Sequence, residues 1–371
     1  YDVALDEVRK IRALRPDWEL GVLAEAQLLA RTDPAQASGA LKNYLETHPG
    51  LRETRVFSLG VMMKQNQYPE ARELVRKMQA EHPDNFELAF AAAGLSVQMG
   101  ELDRAESELR ATLQNGNQDQ NTVYYYLGRL YDEEMARKDD ALASYLKVTD
   151  GEYAYPAHLR AAFLLYEAGK LSEARARLQQ TPTKNDTQRV ELLLAESRML
   201  NDTGQPEAAY DVLKRGLEKL PDQPGLLYET AMQAIRLDKH AEFERMMRQV
   251  IALSPQQAQA YNAIGYSLLD RNERVKEGVA LVKKAYALDP DDPAIMDSMG
   301  WAYYRMGDLE KSLEFLRRAY ALLPDPEIAA HLGEILWLLD KRDEAKRVWE
   351  NALAAHPDDA ALRAAIGKYQ P

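Results

Sequence analysis

Small and bulky apolar residues recur along the chain with the spacing of a helix. A small residue is followed four positions later by a large apolar one, which places both on the same helix face. The small member lets a neighbouring helix approach, while the large member fills the space beside it. The pairs are Ala37/Leu41, Ala71/Val75, Ala105/Leu109, Ala141/Tyr145, Ala174/Leu178, Ala209/Leu213, Gly278/Val282, Ser312/Leu316 and Ala345/Trp349.

The same pattern restarts about every 34 residues, and a proline usually closes each unit. The gap between Pro83 and Pro221 has room for four further units of the same length. A short internal period of this kind predicts a stacked array in which each unit covers the apolar face of the next. The closing prolines are Pro16, Pro49, Pro83, Pro221, Pro255, Pro290, Pro324 and Pro357.

Glycine takes two different places within a unit. Gly265 and Gly300 lie inside apolar helical segments, where glycine costs about 1 kcal/mol relative to alanine and therefore indicates close contact between backbones. A second set comes where the first helix should stop, because glycine readily adopts a left-handed backbone. This set is Gly100, Gly169, Gly204 and Gly307. Each unit is therefore predicted to be two antiparallel helices joined by a tight turn.

The most regular unit resembles the tetratricopeptide repeat (TPR) through Gly300, Tyr303, Gly307, Ser312, Leu316, Ala319 and Pro324. The resemblance implies an all-α, right-handed superhelical solenoid of antiparallel helix pairs that forms one domain over residues 1–371. Residues 1–16 would be a half repeat, 17–357 about ten repeats and 358–371 a C-terminal capping helix. Because the first half repeat lacks its opening helix, we expect the native chain to extend further towards its N-terminus.

The centre of the chain departs from the regular punctuation. Between Asn115 and Thr187 the closing prolines give way to the turn-forming stretches Asn-Gly-Asn, Thr-Asp-Gly and Thr-Lys-Asn-Asp. This change has two interpretations: neutral variation at the joints, or a local change of curvature that shapes a partner site.

Charge and composition exclude several classes of function. The net charge is −12 and the pI about 5.2, so the surface would repel nucleic-acid phosphates, and basic or neutral protein partners suit it better. There is no cysteine, which removes disulfides, thiolate catalysis and sulfur-ligated metals. No apolar run approaches the length of a membrane span.

The residues that could support chemistry have simpler explanations. His48, His82 and His356 each precede a closing proline, where an imidazole can bond the last carbonyls of a helix. His158, His240 and His331 have no partner at metal-ligand spacing. The acidic cluster of Asp132, Glu133, Glu134, Asp139 and Asp140 lacks the pattern of a calcium loop and is typical of a solvated helix end. We predict no catalytic residues, no metal and no cofactor.

The resemblance implies that the first helix of each unit lines a concave face and that residues near its Leu-Gly pair point into it. Trp, Tyr and Arg at such positions are the types that dominate binding hot spots. Tyr304 and Trp337 could equally belong to the repeat framework, whereas Trp301 occupies a site that is usually polar in the family. The candidate partner-binding residues are Tyr125, Tyr126, Arg129, Tyr266, Trp301, Tyr304, Arg305 and Trp337.

These observations predict a non-enzymatic scaffold that binds other proteins or peptides. The chain as a whole resembles the TPR lipoproteins of the Gram-negative outer membrane that act as adaptors for a periplasmic carboxy-terminal processing protease. That resemblance implies a periplasmic location, a possible N-terminal lipid anchor outside this sequence, and cell-wall hydrolases as substrates presented to the protease. Two alternatives stay open: a cytosolic peptide-binding assembly or regulatory factor, and the targeting domain of a larger enzyme.

Overall fold

The computed structural model describes residues 2–83, 85–114 and 119–369, and these ranges contain α-helices and no β-strand. The prediction of an all-α array is confirmed. The chain divides into two compact units, Tyr1–Pro182 and Thr183–Pro371. The further expectation of one continuous domain over 1–371 stays a prediction.

The first unit contains eleven of the α-helices that the described ranges include. The eighth continues directly into a π-helical turn, Leu130–Glu134. The helices are α1 (Asp2–Leu14), α2 (Glu19–Thr32), α3 (Pro34–Thr47), α4 (Arg52–Lys64), α5 (Tyr68–Glu81), α6 (Phe86–Gln98), α7 (Leu102–Gln114), α8 (Gln120–Arg129), α9 (Lys138–Tyr145), α10 (Ala154–Glu167) and α11 (Leu171–Gln180).

The second unit is more regular, and each of its first helices except the last is followed by a second helix of similar length. The helices are α12 (Asp186–Asp202), α13 (Pro206–Lys219), α14 (Pro224–Arg236), α15 (His240–Leu253), α16 (Ala258–Asp270), α17 (Val275–Leu288), α18 (Pro293–Arg305), α19 (Leu309–Leu322), α20 (Pro326–Leu338), α21 (Arg342–Ala355) and α22 (Ala360–Gly367).

Within both units each even-numbered helix packs against the odd-numbered helix that follows it, which gives the expected hairpins. Several even-numbered helices also contact one another between successive repeats, as α2 does with α4, α16 with α18 and α18 with α20. The odd-numbered helices of the described segments make no comparable contact with one another. The even-numbered helices therefore line the inner face of each unit, as the resemblance implied for the first helices.

The turns of the hairpins show why the first helices end where they do. Gly100, Gly169, Gly204 and Gly307 all have positive φ, between 72° and 82°. In other repeats Asn66, Asp238 and Asp340 take the same left-handed conformation, which asparagine and aspartate tolerate better than most residues. The sequence pattern predicted the glycine turns and missed these substitutes.

Side-chain caps explain where many of the first helices begin. Asp292 accepts hydrogen bonds from the backbone N–H groups of Ala294, at 2.8 Å, and Ile295, at 3.3 Å. Asn85 and Asp359 cap α6 and α22 in the same way. Each cap follows a closing proline by two residues, so the proline ends one repeat and the polar residue starts the next.

Close packing of the helices in a hairpin follows the predicted positions. A Cβ placed on Gly300 would lie 2.6 Å from Leu316 Cγ and 3.2 Å from the Ser312 carbonyl oxygen. Ser312 and Leu316 are themselves fully buried. The glycine therefore allows α18 and α19 to approach each other closely, as the sequence indicated.

The repeat in the middle of the first unit is irregular. The π-helical turn follows α8, Ala136 has a positive φ of 53°, and α9 has only eight residues. Asn121 accepts a hydrogen bond from the Thr149 backbone N–H at 2.9 Å, which holds the turn after α9. The Asn-Gly-Asn stretch at 115–117 lies outside the described residues.

Candidate partner-binding surfaces

An open groove of about 580 Å³ lies between α6 and α8 in the first unit. Four half-buried aromatic residues form most of its lining: Phe86 and Phe90 from α6, Tyr126 from α8, and Tyr153, which precedes α10. We call this site the aromatic groove. Phe90 contacts Phe86 at 4.4 Å and Tyr126 at 4.9 Å between ring centroids, and both contacts are edge to face.

Tyr125 and Tyr126 both meet Tyr153, which ties α8 to the start of α10. The ring of Tyr125 stacks on Tyr153 with centroids 4.5 Å apart, and the Tyr126 hydroxyl lies 3.4 Å from the Tyr153 hydroxyl. This hydrogen bond, together with burial, raises the pKa of Tyr153 to about 12. Tyr153 therefore stays uncharged at neutral pH.

Arg129 lies at the rim of the aromatic groove and is engaged within its own helix. Its Nε and Nη2 donate to the two carboxylate oxygens of Glu133 at 2.9 and 2.6 Å. Its pKa rises above the ordinary value, chiefly through this hydrogen bond. The predicted residues Tyr125, Tyr126 and Arg129 therefore come together at one surface.

A second surface in the second unit collects four more of the predicted residues around a buried histidine. His331 of α20 places its Nδ1 2.9 and 3.0 Å from the carboxylate oxygens of Asp297 of α18. Trp301 stacks on the imidazole with ring centroids 4.2 Å apart. The Tyr266 hydroxyl of α16 donates to Glu327 at 2.6 Å and lies 3.5 Å from His331 Nε2. We call these five residues the histidine cluster.

Burial and neighbouring charges shift the pKa values of two residues of the histidine cluster, His331 and Tyr266. Burial alone would lower the pKa of His331, but the Asp297 carboxylate, with Glu327 and Glu334 beyond it, raises that pKa on balance. Burial and the Glu327 carboxylate raise the pKa of Tyr266. Since the hydrogen bonds join helices of three successive repeats, the cluster fixes the spacing of the inner helices α16, α18 and α20.

Trp301 lies deeper than a surface contact residue would. It is 5% exposed, and its Nε1 has no hydrogen-bond partner among the described residues. In the free protein the indole therefore contributes to packing between repeats. Its assignment to a partner contact stays a prediction.

Tyr304 and Arg305 cover the edge of the histidine cluster. The guanidinium of Arg305 lies 5.1 Å from the ring centroid of Trp301 and donates to the carbonyls of Leu269, at 2.7 Å, and Asp270, at 2.9 Å. Arg305 thus satisfies the last carbonyls of α16. Tyr304 is half-buried, and its hydroxyl lies 3.4 Å from Glu334 Oε1.

Trp337 stands apart from both surfaces and belongs to the packing at the end of the second unit. Its ring lies 5.8 Å from Trp349 and 6.0 Å from Tyr369 between centroids. Arg342 covers it at 5.2 Å. This position agrees with one of the two roles that the sequence allowed for Trp337, packing within the repeat framework.

Several other histidines and Asp132 of the acidic cluster make contacts that stabilise the helices. His48, His82 and His356 occupy the C-cap positions of α3, α5 and α21, and His158 Nε2 lies 2.8 Å from the Val148 carbonyl. In the acidic cluster, Asp132 is paired with Arg160 at 2.5 and 2.9 Å. The described residues include no group of three or more metal-ligating side chains, and none of their helices has both the length and the apolarity to cross a membrane.

Sequence reasoning missed several residues of both surfaces. Asp297 and His331 are separated by 34 positions, one repeat period, so the period itself could have indicated that they lie side by side. Phe86 and Phe90 are spaced one helical turn apart on a first helix, which is a second usable signal. The π-helical turn had no signal that we can identify.

Comparisons with known proteins agree with this architecture. Three models of the tetratricopeptide repeat match residues 62–130, 228–293 and 294–326. A TPR repeat-containing protein from Pseudomonas aeruginosa is 40% identical over 216 residues, which are 58% of this chain and 36% of that protein. The interferon-induced protein with tetratricopeptide repeats 3 of Mus musculus is 25% identical over 203 residues, or 52% of this chain and 48% of that protein. The chain thus spans less than half the length of each of these two curated relatives.

A solved structure supports the fold independently. The crystal structure of a tetratricopeptide repeat protein from Parabacteroides merdae superposes with a TM-score of 0.53 and covers 67% of this chain and 98% of that one. At 14% identity the similarity concerns the fold alone. The matched repeats, their paired helices and the inner face that they build show that the chain belongs to the tetratricopeptide-repeat proteins.

Proposed function

We propose that the chain is a non-enzymatic adaptor that holds other proteins on the inner faces of its two units. Tetratricopeptide repeats serve as scaffolds for protein–protein interaction, and this coarse role follows from the family. The observation that carries the proposal is the aromatic groove, where four half-buried rings line an open site on the first helices. Aromatic side chains supply large contact area at low entropic cost, which suits binding of a polypeptide.

We further propose a specific role for the adaptor: it binds a periplasmic carboxy-terminal processing protease and presents cell-wall hydrolases to it. The support is the overall resemblance to Gram-negative adaptor lipoproteins, together with a similar protein in Pseudomonas aeruginosa. The aromatic groove and the histidine cluster use different residues, so two partners need not compete for the same side chains. Holding both would raise their local concentration. The location would be periplasmic, with the outer membrane as the site of tethering.

The first experiment identifies partners. The 371-residue chain is immobilised and exposed to envelope and cytosolic extracts of the source organism, and retained proteins are identified by mass spectrometry. We expect the protease and wall-remodelling hydrolases from the envelope extract. Retention of cytosolic factors alone would favour the cytosolic assembly factor and reject the adaptor role.

The second experiment tests the adaptor role with purified components. The cleavage rate of one hydrolase by the protease is measured with and without the chain, with a protease lacking its nucleophile as the control. We expect faster cleavage when the chain is present, at concentrations where the protease alone is slow. An unchanged rate, despite binding of both proteins, would show a scaffold that does not present substrates.

A further inference from the structure

We propose that the aromatic groove binds a partner segment in which a bulky apolar side chain is next to a lysine or arginine. The inference rests on the proposed protein-binding function and deepens it by naming the chemistry of the segment that one groove takes. It concerns the first unit alone. The partner is a polypeptide, recognised through one apolar anchor and one adjacent cation.

The apolar part of the site is preformed. Phe86, Phe90, Tyr126 and Tyr153 touch in series through edge-to-face contacts with centroids 4.4, 4.9 and 5.6 Å apart. Ala91 and Val97 add aliphatic surface to the same lining. A volume of about 580 Å³ is in the range of specific ligand sites, so it can accept a large side chain without rearrangement of the helices.

The charged part of the site is predominantly acidic. Three carboxylates and one guanidinium line the groove: Glu87, Glu133, Glu134 and Arg129. Arg129 is already held by Glu133, and Glu87 lies 3.5 Å from Arg52 with both side chains largely exposed. Among the described residues Glu134 has no ion-pair partner. A cation beside the apolar anchor would meet this free carboxylate, whereas an acidic neighbour would be repelled.

The backbone at the rim is unusual. Glu133 and Glu134 belong to the π-helical turn Leu130–Glu134, and turns of this kind frequently occur at functional sites. The turn closes with the Met135 N–H donating to the Leu130 carbonyl at 3.1 Å. It places both carboxylates next to the apolar lining, because Leu130, Glu133 and Glu134 all face the same groove.

The acidity of the whole chain supports the same partner. The net charge of −12 favours approach of a basic segment and disfavours an acidic one. Long-range attraction of this kind mainly affects association, while the aromatic floor would determine how long the segment stays. Binding should therefore weaken as ionic strength rises, without disappearing.

The test uses the full chain and a displayed library of random seven-residue peptides. We expect enrichment of sequences in which Trp, Phe, Tyr, Leu or Met lies next to Lys or Arg. An enriched peptide, labelled with fluorescein, then gives dissociation constants by fluorescence anisotropy. Enrichment of acidic or purely polar sequences, or no enrichment at all, would overturn the proposal.

Two variants assign the binding to the groove. Phe90→Leu removes a ring but keeps an apolar side chain, and we expect weaker binding by about tenfold. Glu134→Lys reverses the free charge without disturbing packing, and we expect weaker binding by about three- to fivefold. Glu70→Lys makes the same charge change at an exposed position of α5, the second helix of its hairpin. It should have little effect on peptide binding.

The outcomes separate this inference from the adaptor role. If Phe90→Leu and Glu134→Lys bound the peptide as tightly as the native chain does, the peptide would bind elsewhere and the groove would be rejected as its site. This conclusion would hold whether or not the chain binds a protease. A peptide that binds the groove in a chain that fails to retain the protease would reject the specific adaptor role only. Circular dichroism of each variant confirms that the helices are intact.

Discussion

The indole of Trp301 stacks on the imidazole of His331, with ring centroids 4.2 Å apart and planes inclined by 24°. The two residues come from the first helices of successive repeats, α18 and α20. Because Trp301 is 5% exposed and His331 8% exposed, the stack joins the repeats from the inside. The stack therefore stabilises the second unit at the face that its first helices form.

Replacing Trp301 by alanine should destabilise the second unit by about 3–5 kcal/mol, the usual cost of removing a buried tryptophan. Trp301→Phe keeps part of the ring contact and should cost less. Urea unfolding followed by circular dichroism measures both. Leu322→Ala is the control, because Leu322 is 60% exposed and its truncation should change stability little. If Trp301→Ala unfolded like the control, the indole would not contribute to packing between repeats.

Asp297→Asn should lower the pKa of His331. Burial disfavours the imidazolium, and the Asp297 carboxylate is the main group that overcomes this effect and raises the pKa. Proton NMR of the imidazole C–H, assigned with His331→Gln, should show a midpoint above the ordinary 6.5 in the native chain and a lower midpoint in the variant.

This pKa shift also predicts how stability depends on pH. Since the folded-state pKa of His331 lies above its unfolded value, the stabilisation is complete below about pH 6.5 and is lost as pH rises through the folded-state pKa. The stability advantage of the native chain over Asp297→Asn should therefore shrink as the solution becomes alkaline. An advantage that grew with pH would contradict the charged pair.

The sequence predicts contacts within a hairpin better than it predicts contacts between repeats or irregular turns. The close approach of another helix at Gly300 was predicted from the sequence, because a glycine inside an apolar helix is costly and indicates close contact between backbones. The pairing of Asp297 with His331 was not predicted, because it joins the first helices of two different repeats and no pattern within one repeat indicates it. The π-helical turn at Leu130–Glu134 depends on how α8 meets its neighbours, so local spacing did not reveal the acidic rim of the aromatic groove.

Gly300→Leu should destabilise the second unit by about 1–3 kcal/mol through overpacking. The new side chain would meet Leu316 and the Ser312 carbonyl, which already lie within 3.2 Å of the position of its Cβ. Gly225→Leu is the matched control in α14, since nothing lies within 4 Å of a Cβ placed there, and leucine favours the helix more than glycine does. Thermal unfolding of both variants should give shifts of opposite sign; a stabilising Gly300→Leu would show that α18 and α19 are not in close contact.

Glu244→Gln should weaken the ion pairing between α15 and Arg274, which directly precedes α17, at neutral pH. Glu244 accepts hydrogen bonds from Arg248 at 2.7 and 2.9 Å and from Arg274 at 3.0 Å. The bond from Arg274, and then those from Arg248, lower the pKa of Glu244 to about 2. We expect a loss of about 1 kcal/mol, since the network lies at the surface, where water screens it.

The pH dependence distinguishes this ion network from simple packing. Because the folded-state pKa of Glu244 is below its ordinary value of 4.5, its stabilising effect is complete above that value and is lost as pH falls towards about 2. The difference in unfolding free energy between the native chain and Glu244→Gln should therefore be constant from pH 7 to about 5 and then decline. Glu218→Gln, at an exposed site in α13 without an ion-pair partner among the described residues, is the control at pH 7 and should change stability little. A Glu244 difference that persisted unchanged to pH 2 would mean that the side chain acts through its volume and not through its charge.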